Sequence, residues 1–129
     1  MLDGIPITTP DGQSQLDHIP QSIIGDIEVI RGISSGLYGN ASGGVIMIKS
    51  IPLKKRFYNS ISFADFNTKQ MDLLIDNQSE NGQVRFGFEH KKSLGYRKWS
   101  GHENSILYLS GKKIIFNDKT IKFNYSLFN

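Results

Sequence analysis

The sequence predicts a mainly β protein. A small α+β segment covers residues 1–50, and antiparallel strands patterned like those of a transmembrane β-barrel run from residue 57 onward. Three observations carry this expectation. Composition changes near Ile51-Pro52: residues before it are rich in Gly, Ser, Ile and turn formers, while every Phe, and every Tyr except Tyr38, lies at or beyond Phe57. The second part alternates apolar and polar residues in segments of about ten, the length a tilted barrel strand needs. The connections between those segments are rich in Asn, Gly and Asp.

In the first part, Asp3-Gly4 reads as a hairpin-type turn followed by the apolar Ile5-Pro6-Ile7. Residues 8–15 form a polar loop with Pro10 and an Asp11-Gly12 turn. Pro20 suits the first position of a short helix through Ile24. Asp26–Arg31 alternates Ile27 and Val29 against Asp26 and Glu28 and reads as a strand. One helical turn over Ser34–Tyr38, a glycine bend over Gly39–Gly44 and a strand over Val45–Lys49 complete this part. Residues 51–56 are a linker, in which Pro52 ends strand pairing and Lys54-Lys55-Arg56 stays in water.

In the second part, strands are expected at Phe57–Phe66, Lys69–Asn77, Val84–His90, Ser105–Ile115 and Thr120–Phe128. The last alternates Ile121, Phe123, Tyr125 and Leu127 against Lys122, Asn124 and Ser126. Asn77–Gln83 and Asn117–Lys119 are short turns, and Lys92–Glu103 is a longer loop. Short turns at one end and longer loops at the other suit a membrane barrel. Alternation alone equally suits a soluble antiparallel sheet with one wet face. The two readings differ in what the apolar face must look like. A lipid-facing set is apolar through mid-strand, so Asn59 and Asp65, which share a face with Phe57, Ile61 and Phe63, are expected near strand ends.

Composition narrows the function. The 129 residues hold no Cys, which excludes a disulfide framework and a thiolate metal site. The formal net charge of +3 is dispersed, without the basic stripe and stacking aromatics of a nucleic-acid binder. No basic n-region and apolar h-region open the chain, and no stretch has the length of a membrane-spanning helix.

The catalytic motifs fail on chemistry. Gly39 and Gly44 have the outer spacing of a phosphate loop, but Val45 and Ile46 stand where Lys and Ser or Thr must be. Ser34, Ser35 and Ser42 lack the elbow of a nucleophile. His18, His90 and His102 are scattered without metal spacing. The chain is read as no enzyme, with no catalytic residue, no metal site and no cofactor. Glu28 and Arg31 are the charged candidates: as a solvated strand edge, or as ion-pair formers toward a polar wall.

Four stretches resemble the second half of the plug domain of TonB-dependent receptors, in order and spacing over about fifty residues. They are Leu-Asp-Gly-Ile-Pro (2–6), Thr-Pro-Asp-Gly-Gln (9–13), Ile-Glu-Val-Ile-Arg-Gly (27–32) and Ser-Gly-Leu-Tyr-Gly-Asn-Ala-Ser-Gly-Gly-Val-Ile (35–46). Gly95-Tyr96-Arg97 with the following strand resembles an early barrel region of the iron-complex branch. Ile33, Gly36 and Met47 depart from the family's usual Pro, Ala and Asn. The resemblance divides the chain into a plug half (1–50), a linker (51–56) and the first five or so strands of a truncated barrel (57–129).

The resemblance implies the remaining expectations. The parent would be an outer-membrane transporter of a Gram-negative bacterium, a barrel of about 22 strands closed by a plug. It would take up iron–siderophore or similar scarce nutrient complexes, so a ferric chelate would be cargo. Its partners would be the outer-membrane lipid and the TonB–ExbB–ExbD energy-transducing complex, reached through a TonB-contacting segment not included here. Glu28 and Arg31 would pair plug to barrel. Gly4, Gly32, Gly39, Gly43 and Gly44 would be plug-motif glycines, and Thr9, Asp11, Gln13 and Gln15 would face the ligand. Five strands cannot close so wide a barrel, so this stretch alone is expected not to transport, and to be a gene fragment, truncated frame or partial record. The competing reading is a small soluble β-rich binding or structural module without transport activity.

Overall fold

The computed structural model describes residues 1–7, 16, 18–32, 43–52, 54, 56–115 and 119–129. Two compact units form: Met1–Asp17 with Ile23–Pro52, and His18–Ser22 with Leu53–Asn129. Among the described residues no helix is long and apolar enough to cross a membrane.

The first unit is built on an antiparallel pair, β1 (Ile24–Arg31) and β2 (Gly44–Ser50), in the register Ile27↔Ile48 and Val29↔Ile46. The pairing slips between Ile24 and Asp26, leaving Gly25 as an extra residue. The Leu2–Ile5 segment closes on itself through reciprocal backbone hydrogen bonds of 2.9 and 2.8 Å. Positive φ at Asp3 (49°) and Gly4 (84°) matches the two-residue turn read from that dipeptide. Leu2 then bridges Ile48 in parallel, and the Asp3 carboxylate accepts the Ser50 amide at 2.8 Å. Leu2, Ile23, Val45 and Ile48 are buried, whereas Ile27 and Val29 stand exposed.

The second unit is a five-stranded antiparallel meander: β3 (Arg56–Ala64), β4 (Thr68–Ser79), β5 (Gly82–Ser93), β6 (His102–Ile114) and β7 (Thr120–Phe128), in that spatial order. The mainly β expectation therefore holds, and each anticipated strand is present. Their ends shift. The ladder between β4 and β5 continues through Asn77, Gln78 and Ser79, so the expected seven-residue turn shrinks to Glu80-Asn81. Ladder bonds are backbone bonds, and polar side chains do not interrupt them. The longer loop likewise contracts to residues 94–101.

Three other expectations change or fall elsewhere. The short helix is a 3₁₀ turn at Gln21–Ile23, because Ile24 and Gly25 are drawn into β1. The helical turn over residues 34–38 lies outside the described residues, as does most of the glycine bend. Asp65 falls in a turn as anticipated, but Asn59 does not reach a strand end. It pairs with Leu73 in mid-strand, because register over the whole β3–β4 ladder, not one residue's polarity, fixes the face.

Candidate functional site

Register sorts the second unit's side chains into two unlike faces. One carries cross-strand rows such as Phe57–Ile75–Phe86–Leu109–Tyr125 and Asn59–Leu73–Phe88–Leu107–Leu127. The other carries Arg56–Asp76–Arg85–Ser110–Asn124 and Ser60–Asp72–Glu89–Ile106–Phe128. Water meets the wrong face for a soluble sheet. Phe57, Ile61 and Phe63 keep 67%, 68% and 74% of their surface, while Asp76, Arg85 and Glu89 keep 2%, 0% and 4%. Apolar surface costs free energy in water, and buried charge costs it unless paired. The buried face also carries Leu74, Ile106 and Tyr108, so the reversal lies in the exposed apolar rows and the buried charges, and such an outer face suits a hydrocarbon solvent.

Two of the buried charges are paired, while the buried Asp72 and Glu89 carboxylates stand opposite one another on β4 and β5. Asp76 and Arg85 stand directly opposite one another on β4 and β5. The Arg85 guanidinium donates from Nε to Asp76 Oδ1 at 2.7 Å and from a terminal nitrogen to Oδ2 at 2.9 Å. This two-point geometry is the strong form of the ion pair. Farther along the same face the Gln70 amide donates to both Asp72 carboxylate oxygens, at 3.1 and 3.2 Å.

Onto this polar face docks the short segment His18–Ser22. The Gln21 backbone N–H donates to Glu89 Oε2 at 2.9 Å. The His18 ring stacks on Phe128 with centroids 3.3 Å apart and planes 12° from parallel. Ile19 and Pro20 between them are buried. A backbone amide and an aromatic stack read no side-chain identity at Gln21, so sequence alone gave no signal for this contact.

The residues singled out earlier are dispersed. Glu28 and Arg31 share β1 but are an odd number of positions apart, so they lie on opposite faces of it. Glu28 pairs instead with Lys49 across the hairpin, at 3.3 Å, with Asp26 also 3.9 Å from that amine. Gly44 sits at φ 140°, and a Cβ there would come within 2.5 Å of the Ile30 carbonyl oxygen, so the motif position excludes any side chain. Gly4 and Gly32 also have positive φ, and a Cβ at Gly43 would meet nothing within 4 Å. Gly39, Thr9, Asp11, Gln13 and Gln15 lie outside the described residues. His18, His90 and His102 do not converge, and among the described residues no three His, Cys, Asp or Glu side chains group to hold a metal.

Comparison with known proteins completes the picture. The profile of the family described as TonB-dependent Receptor Plug Domain matches residues 1–45. The vitamin B12 transporter BtuB of Vibrio vulnificus (strain YJ016) is 33% identical over 102 residues, covering 75% of this chain. The chain spans 17% of that relative's length. The similarity to the plug-domain profile thus lies in the N-terminal third of the chain.

Proposed function

We propose that this chain forms part of a TonB-dependent outer-membrane transporter, with plug sequence over residues 1–50, a linker at 51–55 and a lipid-facing barrel wall from Arg56, the first residue of β3, onward. The observation that carries the proposal is the polarity of the five-stranded sheet: an exposed apolar face, and opposite it a face that buries charge, Asp76 and Arg85 as an ion pair. A soluble module would have to leave that apolar surface wet, which weighs against it.

In the whole receptor, cargo binds from outside and a pull relayed by the TonB complex loosens the plug. Residues on the polar face guide and hold the plug segment. His18–Ser22 is its anchored part, because its contacts are made to strands that cannot follow the pull. Glu28 and Arg31, if they lock plug to wall, do so separately, since they occupy opposite faces of β1. The cargo is a scarce chelated nutrient. The similarity to a vitamin B12 transporter favours a corrinoid, and the plug motifs equally suit a ferric siderophore. Binding of cyanocobalamin against a ferric siderophore by the complete receptor decides between them.

The membrane assignment is tested by charge placement. Ile61→Arg should cost about 2–4 kcal/mol in folding of the complete barrel into vesicles, whereas Ser62→Arg on the opposite face should cost far less. Equal penalties for the two would remove the reading.

A further inference from the structure

One end of the sheet holds a basic and aromatic cluster that barrel closure does not require. Strand order places the turn at 65–67 and the loop at 94–101 together at that end, with Glu80-Asn81 at the other. The longer loop marks it as the outer end of a barrel. There, on the apolar face, Lys69 and Lys92 stand directly opposite each other. Like charges in that relation repel. Lys92 is joined to Glu103 at 2.7 Å, and Lys69 is exposed beside Phe63, its partner in β3. The face matters: a cargo contact belongs on the polar side, whereas these amines project from the side that carries Phe57 and Ile61.

The loop beyond them is a built surface. Leu94 N–H donates to the Phe66 carbonyl at 3.0 Å and ties it to the neighbouring turn. The Phe66 and Tyr96 rings meet edge to face at 6.4 Å. Ser100 Oγ both donates to the Arg97 carbonyl (2.9 Å) and accepts the Arg97 amide (3.1 Å). Gly95, at φ 76°, lets the chain close against Ser100, where a Cβ would collide. The loop also holds Trp99 at φ 69° while leaving it 91% exposed. A bulky residue in that backbone region is strained, and no burial offsets the strain. Arg97 lies 5.3 Å over the Tyr96 ring and Lys98 lies 5.4 Å over the Trp99 ring. Rings with flanking cations at the edge of an apolar band suit a bilayer interface.

We propose that this end of the apolar face is a binding surface for the phosphate groups of an outer-leaflet lipid, gripped by Lys69 and Lys92 and flanked by the Tyr96–Trp99 loop. A lipid phosphate there meets the exposed Lys69 amine directly and shares Lys92 with Glu103, and its acyl chains continue down the Phe57–Ile61 surface. The inference rests on the membrane-barrel reading above.

The test uses the complete membrane protein carrying these strands, in phosphatidylcholine vesicles containing diphosphoryl lipid A or its dephosphorylated form. Insertion is scored first, by heat-modifiable gel mobility. A wild-type protein that does not insert overturns the barrel reading and this inference with it. For inserted protein, retained lipid is counted by native mass spectrometry after detergent extraction. Phosphorylated lipid A should be retained roughly tenfold over the dephosphorylated form. The K69Q/K92Q pair should abolish that preference, K69R/K92R should keep it, and Lys113→Gln at the far end of the same face should leave it unchanged. Equal retention of both lipids, full preference in K69Q/K92Q, or displacement of the lipid by millimolar inorganic phosphate would each overturn the lipid site while leaving the barrel intact.

Discussion

Asp76 and Arg85 face each other across neighbouring strands, joined by two hydrogen bonds, and neither side chain retains any exposure to solvent. Breaking such a pair leaves one charge buried and uncompensated, at about 3–5 kcal/mol. Arg85→Met and Asp76→Leu singly should each lower the unfolding free energy of the complete protein by that order. The double variant should recover most of the loss, as a double-mutant cycle on urea unfolding would register. An additive double variant would mean that the pair does not act as a unit.

Glu89 holds the docked segment through the Gln21 amide. A hydrogen bond to a charged group contributes about 1.5–3 kcal/mol. Glu89→Ala should raise hydrogen exchange at the Gln21 amide by roughly tenfold or more, while Glu89→Gln, which keeps an acceptor, should raise it less. Exchange that stays unchanged in Glu89→Ala would show the segment to be held by the His18–Phe128 stack instead.

The glycine positions separate by geometry. Gly44→Ala places a methyl group within 2.5 Å of the Ile30 carbonyl oxygen at a φ that L residues avoid, so the β1–β2 pair must distort. Gly43→Ala meets nothing within 4 Å. Limited proteolysis of the complete protein should find the β1–β2 region exposed in the first variant and native-like in the second.

Glu28 and Lys49 are each about half exposed, and exposed pairs contribute about 0–1 kcal/mol. Glu28→Ala should therefore leave plug stability nearly unchanged and weaken further in its effect at high salt. Arg31→Ala is the sharper test of a lock. Reduced uptake or a destabilised plug in the complete receptor supports the role, and no change in either ends it.

Much of the fold was legible because faces follow parity. The alternation of Val84, Phe86 and Phe88 against Arg85 and Glu89 already assigned each residue to a side. Which residue meets which was not legible, since that depends on turn length. Asn81-Gly82 has the sequence of a two-residue hairpin loop, which would set Glu80 opposite Gln83 and Asp76 opposite Gly87. The loop is Glu80-Asn81 instead, Ser79 meets Gly82, and Asp76 meets Arg85. The faces survive such a shift and the ion pair does not, so the polar face emerged as alternation without its pairing. The docked segment was less legible still: its main polar contact is a backbone amide.

That two-residue turn is also where the gene can change length. One codon added between Ser79 and Gly82 lengthens only the bend, because a three-residue loop still closes an antiparallel pair in the same register. One codon added between Gly82 and Arg85 instead slips every later position of β5 by one, sending Arg85 and Glu89 to the apolar face and Phe86 and Phe88 to the polar one. Surviving length variants should therefore gather at the bend and be absent from the strands, a constraint that substitution patterns would never reveal.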